Sequence, residues 1–278
     1  MPDLVGPPSA EVDVSIVVPT FNERRNLGEV VDRLDRVLAR RVASHEIVVV
    51  DDDSPDGTFD EAVELAGEHP SLRPVRRVGP RGLGSAVVCG WARSSGRVVG
   101  VIDADLQHPP ETVVALLDAV DDGADLACAS RYVRDGDTAG WPLIRRTISL
   151  AARLTTRAIL PGAPRLADPM SGYFVVRRAV VEGVALTPVG YKILLEVLHR
   201  GAPTEVREVA YRFGRRRHGA SKATPMRYVE LVRHLCALRT SPQPVPALPP
   251  HVDVSRGAAP VRSTPAPARD IVTLPRPT

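Results

Sequence analysis

The sequence predicts an α/β protein built on a mainly parallel, doubly wound sheet, and three observations predict it. Short β-branched runs alternate with segments of helical periodicity through the first half of the chain, the pattern of strands joined by crossover helices. The run Val98-Val99-Gly100-Val101-Ile102 is apolar without a break rather than alternating, as strands buried on both faces are. Several stop abruptly at proline or aspartate, which gathers polar side chains at strand ends, where open α/β sheets bind ligands.

In chain order, Val14–Val18 reads as the first strand, stopped by Pro19. Leu27, Val30, Val31, Leu34, Val37 and Leu38 then recur at helical spacing. Residues 47–50 form a second strand running into Asp51-Asp52-Asp53-Ser54-Pro55-Asp56-Gly57-Thr58, and a helix follows over about residues 60–67. Residues 72–78 make a third strand and residues 85–94 a helix. Val98-Val99-Gly100-Val101-Ile102 leads into Asp103-Ala104-Asp105-Leu106-Gln107; a helix over 110–120 and a strand over 126–130 complete the alternation. No repeat is visible.

After Ser130 the rhythm changes. Residues 142–160 have helical periodicity with three faces: Ile144, Ile148 and Ile159 on one apolar side, Arg145, Ser149 and Arg153 on a basic side, and Leu143, Leu150 and Leu154 in a second apolar strip. A surface helix needs one apolar stripe, so the second fits either a helix clasped between protein layers or contact with a membrane surface or partner. Residues 225–238 repeat the theme more weakly. From Ser241 the composition turns to Pro, Ala, Ser, Thr and Arg without hydrophobic periodicity, too little apolar area to offset its ordering entropy. The expected layout is one catalytic-type domain over 12–238, with amphipathic helices near 142–160 and 225–238, and a disordered tail over 239–278.

Composition narrows the function classes. A hydrophobic content of 44% allows a sizeable core, and the net charge of +3 is small. Lys192 and Lys222 are the only lysines; the arginine excess suits bidentate phosphate contacts, and a codon bias would produce it too. Cys89, Cys128 and Cys236 stand far apart, excluding a disulfide framework or Cys/His zinc cluster and fitting a reducing compartment. The first residues lack the apolar core of a signal peptide, and no run approaches the ~18 apolar residues of a membrane span. With aromatics at only 4%, nucleic-acid binding is the poorer reading of the cationic stretch 213–222.

The chemistry-bearing residues lie at the strand ends. Asp103 and Asp105, one residue apart and followed by Gln107, suit a hard divalent cation shared with substrate phosphates; their other reading is a capped turn. Glu23, after Pro19-Thr20-Phe21-Asn22, accepts from a base or ribose or sits in a helix's first turn. Asp51 and Asp52 occupy positions that commonly hold ribose hydroxyls or a base N–H, whereas Asp53, Ser54 and Asp56 read as turn and cap residues. Arg81-Gly82-Leu83-Gly84-Ser85-Ala86 precedes a helix, so Arg81 and the exposed N–H groups can meet a diphosphate. Phe213 to Lys222 reads as a cationic loop suited to closing over phosphates.

Taken in order, Val17-Val18-Pro19-Thr20-Phe21-Asn22-Glu23, Val50-Asp51-Asp52 with Ser54-Pro55-Asp56-Gly57-Thr58, Asp103 to Pro110, Ser130-Arg131-Tyr132, Asp168-Pro169-Met170-Ser171-Gly172 and Gly190 to Glu196 resemble the dolichol-phosphate (polyprenol-phosphate) mannose synthases. These are metal-dependent inverting glycosyltransferases of family 2 with a GT-A fold, and the resemblance covers about residues 12–235. It implies a sheet flanked by helices, with peripheral interface helices, and transfer of mannose from GDP-mannose to polyprenyl or dolichyl phosphate. It assigns Pro19, Glu23, Asp51, Asp52, Arg81 and Ala104 to the donor nucleotide, and Asp103, Asp105 and Gln107 to Mg²⁺ or Mn²⁺. Arg131, Arg145 and Ser149 would grip the acceptor phosphate, and Arg216, Ser221 and Lys222 would close over phosphates. Asp105 and Arg131 would be the catalytic pair. His108, which follows the carboxylates in sequence, reads on its own as a supporting or structural residue rather than a catalytic one. The implied location is peripheral, at the cytoplasmic face of a membrane, with a separate membrane-anchored partner and no nucleic acid. Some relatives carry transmembrane segments after the catalytic domain; here the Pro-rich tail stands in their place. Two rivals remain, a UDP-glucose-dependent sister enzyme and a catalytically silent nucleotide-sugar-binding subunit. The Asp168-Pro169-Met170-Ser171-Gly172 motif favours mannose, and intact Asp103, Asp105 and Arg131 argue against silence.

Overall fold

The computed structural model describes residues 12–133, 150–151, 154–156, 158–159, 166–188, 192–214, 225–240 and 270–273. β1 (Val14–Thr20), β2 (His45–Asp51) and β3 (Leu72–Val78) pair in parallel, and β4 (Val98–Val101) pairs in parallel on the other side of β1. Helices α1 (Arg24–Arg41), α2 (Thr58–Glu68), α3 (Leu83–Trp91) and α4 (Thr112–Asp121) fill the crossovers. β5 (Leu126–Ser130), β6 (Phe174–Arg177), β7 (Val206–Ala210) and β8 (Asp270–Thr273) complete a sheet of order β7-β5-β6-β4-β1-β2-β3-β8. This is the expected mainly parallel sheet.

The alternation of side chains along each strand divides the core into two layers. Ile16 and Val18 of β1 and Ile47 and Val49 of β2 face α1 and α4, whereas Val17, Val48 and Val50 face α3 and the turn Ile193–Glu196. The α3 layer lies close: a Cβ on Gly90 would stand 2.6 Å from a Val17 methyl. On the opposite face Arg33 of α1 pairs with Glu111 at 2.7 Å, and Arg41 with Asp118 at 2.8 Å.

One strand runs against the rest. β6 is antiparallel to both β4 and β5, with Phe174 opposite Val101 and Cys128. Reversal puts the residues before β6, rather than those after it, at the sheet edge where β4 and β5 end. The connection 166–173 thereby reaches the same edge as Asp103 and Arg131.

The five strands read from the sequence are present. β6, β7 and β8 were not read from it, and β8 departs from the expected structureless tail at residues 270–273. There Ile271 and Val272 supply a short β-branched run that pairs in parallel with β3; the other tail residues lie outside the described ones. Of the amphipathic stretch 142–160, Leu150 and Leu154 are helical and 51% and 55% exposed, whereas Thr156 is buried against Met170. Ile159 packs on a cluster of Met170, Leu195, Leu231, Leu235 and Leu238, the last three from α5 (Pro225–Thr240). Among the described residues, no helix is long and apolar enough to cross a membrane.

Candidate active site

At the β1 and β2 ends, the carboxylates are held by the protein's own donors. Asp51 is fully buried, accepting from Thr20 Oγ1 at 3.0 Å, Ser54 Oγ at 2.6 Å and Ser54 N–H at 2.8 Å. Burial raises its pKa, and the Ser54 and Thr20 bonds only partly counter this. Its side chain thereby braces the loop after β2. Asp53, Ser54 and Asp56 are the turn and cap residues that the sequence indicates, Asp56 accepting from Thr58 N–H at 3.0 Å.

Asp52 is the better-placed of the pair. Its Oδ1 accepts from Arg77 Nε at 2.7 Å and its Oδ2 from Gly82 N–H at 2.8 Å. The Arg77 side chain is 1% exposed, and its Nη2 reaches Pro80 O at 3.2 Å. An ionised carboxylate has about four lone-pair sites, so Asp52 keeps acceptor capacity on both oxygens. Arg81, expected at the diphosphate, stands exposed at the rim. It donates to Asp52 O at 3.1 Å, and its guanidinium carbon lies 4.2 Å from the Phe21 ring centroid, a cation–π contact that commits it to the rim. Likewise the Gly82 N–H at the start of α3, open to a phosphate in the sequence reading, is engaged by Asp52. Pro19 is buried at the end of β1. Glu23 is also buried; its Oε2 accepts from Asn26 Nδ2 at 2.8 Å, and its backbone N–H donates to Thr58 Oγ1 at 3.0 Å.

Beyond β4, Asp103 has a side chain 30% exposed, while Ala104 and Asp105 are buried. Asp105 Oδ1 accepts from Gln107 N–H at 3.0 Å. Leu106 takes a left-handed φ of 60°, unusual for a branched side chain and a mark of a tightly specified turn. Gly214 clamps it from the far end of the chain, its N–H donating to Gln107 O at 2.8 Å. Gly172 backs the other side: a Cβ there would stand 3.1 Å from Asp103 Oδ2. Two carboxylates and a carboxamide on one turn, with room kept by a glycine, are hard oxygen donors of the kind Mg²⁺ and Mn²⁺ take.

Arg131, one residue past β5, forms a two-pronged pair with Asp168: Nε to Oδ2 at 2.7 Å and Nη2 to Oδ1 at 2.8 Å. Burial disfavours its charge, but the Asp168 carboxylate outweighs this and holds its pKa above the ordinary arginine value. Asp168 is itself fixed, its N–H donating to Glu208 Oε1 of β7 at 2.8 Å. Ser171 N–H closes the turn on Asp168 O at 3.2 Å. Lys192 donates to Met170 O at 2.6 Å.

The structure thus brings Pro19, Glu23, Asp52, Ala104, Asp103, Asp105, Gln107 and Arg131 to one sheet edge. Arg145, Ser149, Arg216, Ser221 and Lys222 lie outside the described residues. Sequence reasoning missed Arg77 and the role of Asp168. Arg77 left a signal, a charged residue at an inward-facing position of β3, which calls for a buried partner. Asp168 stands inside a motif already singled out, but its pairing partner is 37 positions away.

Comparison with known proteins adds the following. Residues 15–184 match the family model described as glycosyl transferase family 2. A protein named dolichol-phosphate mannosyltransferase from Pyrococcus furiosus is 45% identical over 225 residues, 81% of this chain and 63% of the relative's length. A polyprenol monophosphomannose synthase from Mycolicibacterium smegmatis is 38% identical over 216 residues, covering 74% of this chain and 79% of that one. Glucosyl-3-phosphoglycerate synthase from Mycobacterium tuberculosis, solved with phosphoglyceric acid, superposes with a TM-score of 0.62 at 23% identity, covering 84% of this chain and 82% of that one. At that identity the likeness is one of fold.

Proposed function

The chain belongs to glycosyl transferase family 2, and from that premise we propose that it transfers mannose from GDP-mannose to a polyprenyl phosphate with inversion at the sugar carbon. One observation carries the reading: the reversed strand β6 sets the Asp168–Gly172 turn against both Asp103 and Arg131, joining a nucleotide edge to a cation for an anionic acceptor. The names of the relatives support mannose and a polyprenyl phosphate.

In this scheme Pro19, Glu23, Ala104 and Asp52 line the nucleoside side, and Asp51 and Arg81 brace the loops around it. Asp103 and Asp105, with Gln107 beside them, would hold Mg²⁺ or Mn²⁺, which when bound supplies positive charge against the donor diphosphate. The acceptor's monoester phosphate has a second pKa near ~6 and is mostly a dianion at neutral pH, so no catalytic base is required. Its oxygen forms the bond to the sugar C1 as the C1–O bond to the β-phosphate breaks, and GDP leaves with that electron pair. Arg131 orients the incoming phosphate, with Asp168 fixing the plane of its guanidinium. The barrier falls through proximity and placed charge. Arg145, Ser149, Arg216, Ser221 and Lys222 are assigned to phosphate contacts by resemblance alone. Leu150 and Leu154, both exposed, fit a peripheral position on the cytoplasmic face of a membrane, beside a separate anchored partner.

The test is transfer of labelled mannose from GDP-mannose to polyprenyl phosphate in detergent, with Mg²⁺ or Mn²⁺ and with chelator. UDP-glucose runs in parallel, and Asp105→Ala serves as control. The expected result is a metal-dependent mannolipid absent in the variant. Product from UDP-glucose alone would keep the mechanism and replace the sugar. Nucleotide binding without transfer, even with membranes supplied, would indicate a silent binding subunit.

A further inference from the structure

Beneath the two carboxylates lies a buried histidine that the transfer scheme does not use. The His108 ring is enclosed by Tyr211 (centroids 5.3 Å apart, planes at 24°), Phe213 (5.3 Å, 89°) and Tyr173 (5.6 Å, 76°). Its Nε2 is 3.5 Å from Asp103 Oδ2, beyond the roughly 2.7–3.2 Å of an N–H···O bond, so a turn of the carboxylate toward the ring is what closes the contact.

The same oxygen faces Gly172: a Cβ there would lie 3.1 Å from Oδ2 and 3.6 Å from Oδ1. Oδ2 is therefore the inner oxygen of Asp103, lodged between the glycine and the imidazole. The other ring nitrogen decides the tautomer. His108 Nδ1 is buried and has no hydrogen-bond partner among the described residues. A buried N–H left unpaired is rarer than an unpaired acceptor, so the proton of the neutral ring belongs on Nε2, directed at Asp103.

We propose that His108 is a positioning residue for the divalent-cation site: its Nε2–H donates to Asp103 Oδ2 and fixes the carboxylate plane, while the three aromatic rings fix the imidazole. The proposal rests on the reading of Asp103 as a cation ligand. Partners of metal-binding carboxylates typically govern metal affinity by about 10- to 100-fold. Enclosure by the three rings holds the plane of the imidazole.

Two substitutions separate this role from packing. His108→Phe keeps a planar ring in the aromatic box and removes the N–H; His108→Gln restores an N–H near the place of Nε2. Mn²⁺ binding to the full chain is followed by calorimetry and electron paramagnetic resonance, with and without GDP, beside KM for Mn²⁺ and kcat in the transfer assay. The expected result for His108→Phe is Mn²⁺ affinity weakened about 10- to 100-fold, kcat at saturating Mn²⁺ within a few-fold of the parent, and recovery in His108→Gln. Unchanged Mn²⁺ affinity in His108→Phe overturns the proposal, as does equal loss in both variants with a matching fall in melting temperature. Asp103→Asn checks the cation reading separately. If it binds Mn²⁺ as the parent does, the site is misplaced, and the proposal falls for that reason rather than its own.

Discussion

The two ends of the active edge are built by different means. On the nucleotide side, each bracing contact joins the ends of adjacent elements: Thr20 and Ser54 to Asp51, Arg77 and Gly82 to Asp52. On the transfer side the partners lie only somewhat farther apart in the chain, 37 positions for Arg131 with Asp168 and 40 for Asp168 with Glu208, but they meet around an antiparallel strand rather than between parallel neighbours. Both ends bury an arginine–aspartate pair, but to different purpose. Arg77 is wholly enclosed and serves its carboxylate; Asp168 is wholly enclosed and serves its arginine. In each pair the more deeply enclosed partner braces the other, and the proposed function places that other one at the substrate.

That contrast can be broken at either end. The largest effect is expected of Asp52→Asn, which strands the Arg77 charge in the interior. Removing one member of a buried pair costs about 3–5 kcal/mol, to be read as lost unfolding free energy in denaturant titration, together with loss of nucleotide binding. A parent-like unfolding curve would show that Arg77 finds another partner. Next comes Arg131→Ala, for which transfer should fall about 10²- to 10³-fold while GDP affinity holds. Asp168→Asn should reproduce most of that loss, and the double variant should be little worse than either single one. Additive losses would mean that Asp168 acts independently of Arg131. Gly172→Ala is expected to be milder. Its Cβ presses on Asp103 Oδ2, so the Mn²⁺ requirement should rise about tenfold with GDP binding unchanged; an equal loss of metal-free GDP binding would contradict this.

The smallest effect belongs to the opposite rim of the nucleotide half. There His69 bonds Asp35 at 3.1 Å and Asp32 at 2.9 Å, and His45 bonds Asp35 at 2.8 Å. Burial lowers the His69 pKa, but the two carboxylates outweigh it and leave it above the usual histidine value. A raised folded-state pKa stabilises below the unfolded value and loses that contribution as pH rises through the folded one. Melting temperature should therefore slip slightly from about pH 6 to about pH 8, and His69→Gln should flatten that slope. A slope unchanged in His69→Gln would assign it to another group.

Much of the nucleotide half was legible in the sequence because its information is local. β1, β2 and β4 are β-branched runs that end at proline or carboxylate, β3 and β5 are legible from their place in the alternation, and α1 to α4 carry apolar positions at helical spacing. Asp103 and Asp105 announce themselves at a strand end. The transfer half hides for physical reasons. β6 is four residues long, and nothing in Phe174-Val175-Val176-Arg177 shows that it runs backwards; direction is decided by pairing with β4 and β5. β7 carries Arg207 and Glu208 and has no uniform apolar run. The internal partners of Asp51 and Arg81 were not legible, because position at a strand end or before a helix says where a side chain sits, not which neighbour engages it.

The reversed strand also orders events in time. Residues 14–108 supply the proposed nucleotide edge, yet Asp168 and Gly172 arrive sixty or more positions later and Gly214 later still. A chain made from its N-terminus can form β1 to β4 early, whereas the Asp103 cradle and the Arg131 clamp close only when β6 inserts between strands already made. Long-range insertion of this kind is slow. Pulse-labelled hydrogen exchange during refolding should find amides of β1 and β2 protected before those of β6, and simultaneous protection would refute that order. On the proposed reading, a growing or refolding chain then passes through a stage with its nucleotide edge formed and its transfer site still open.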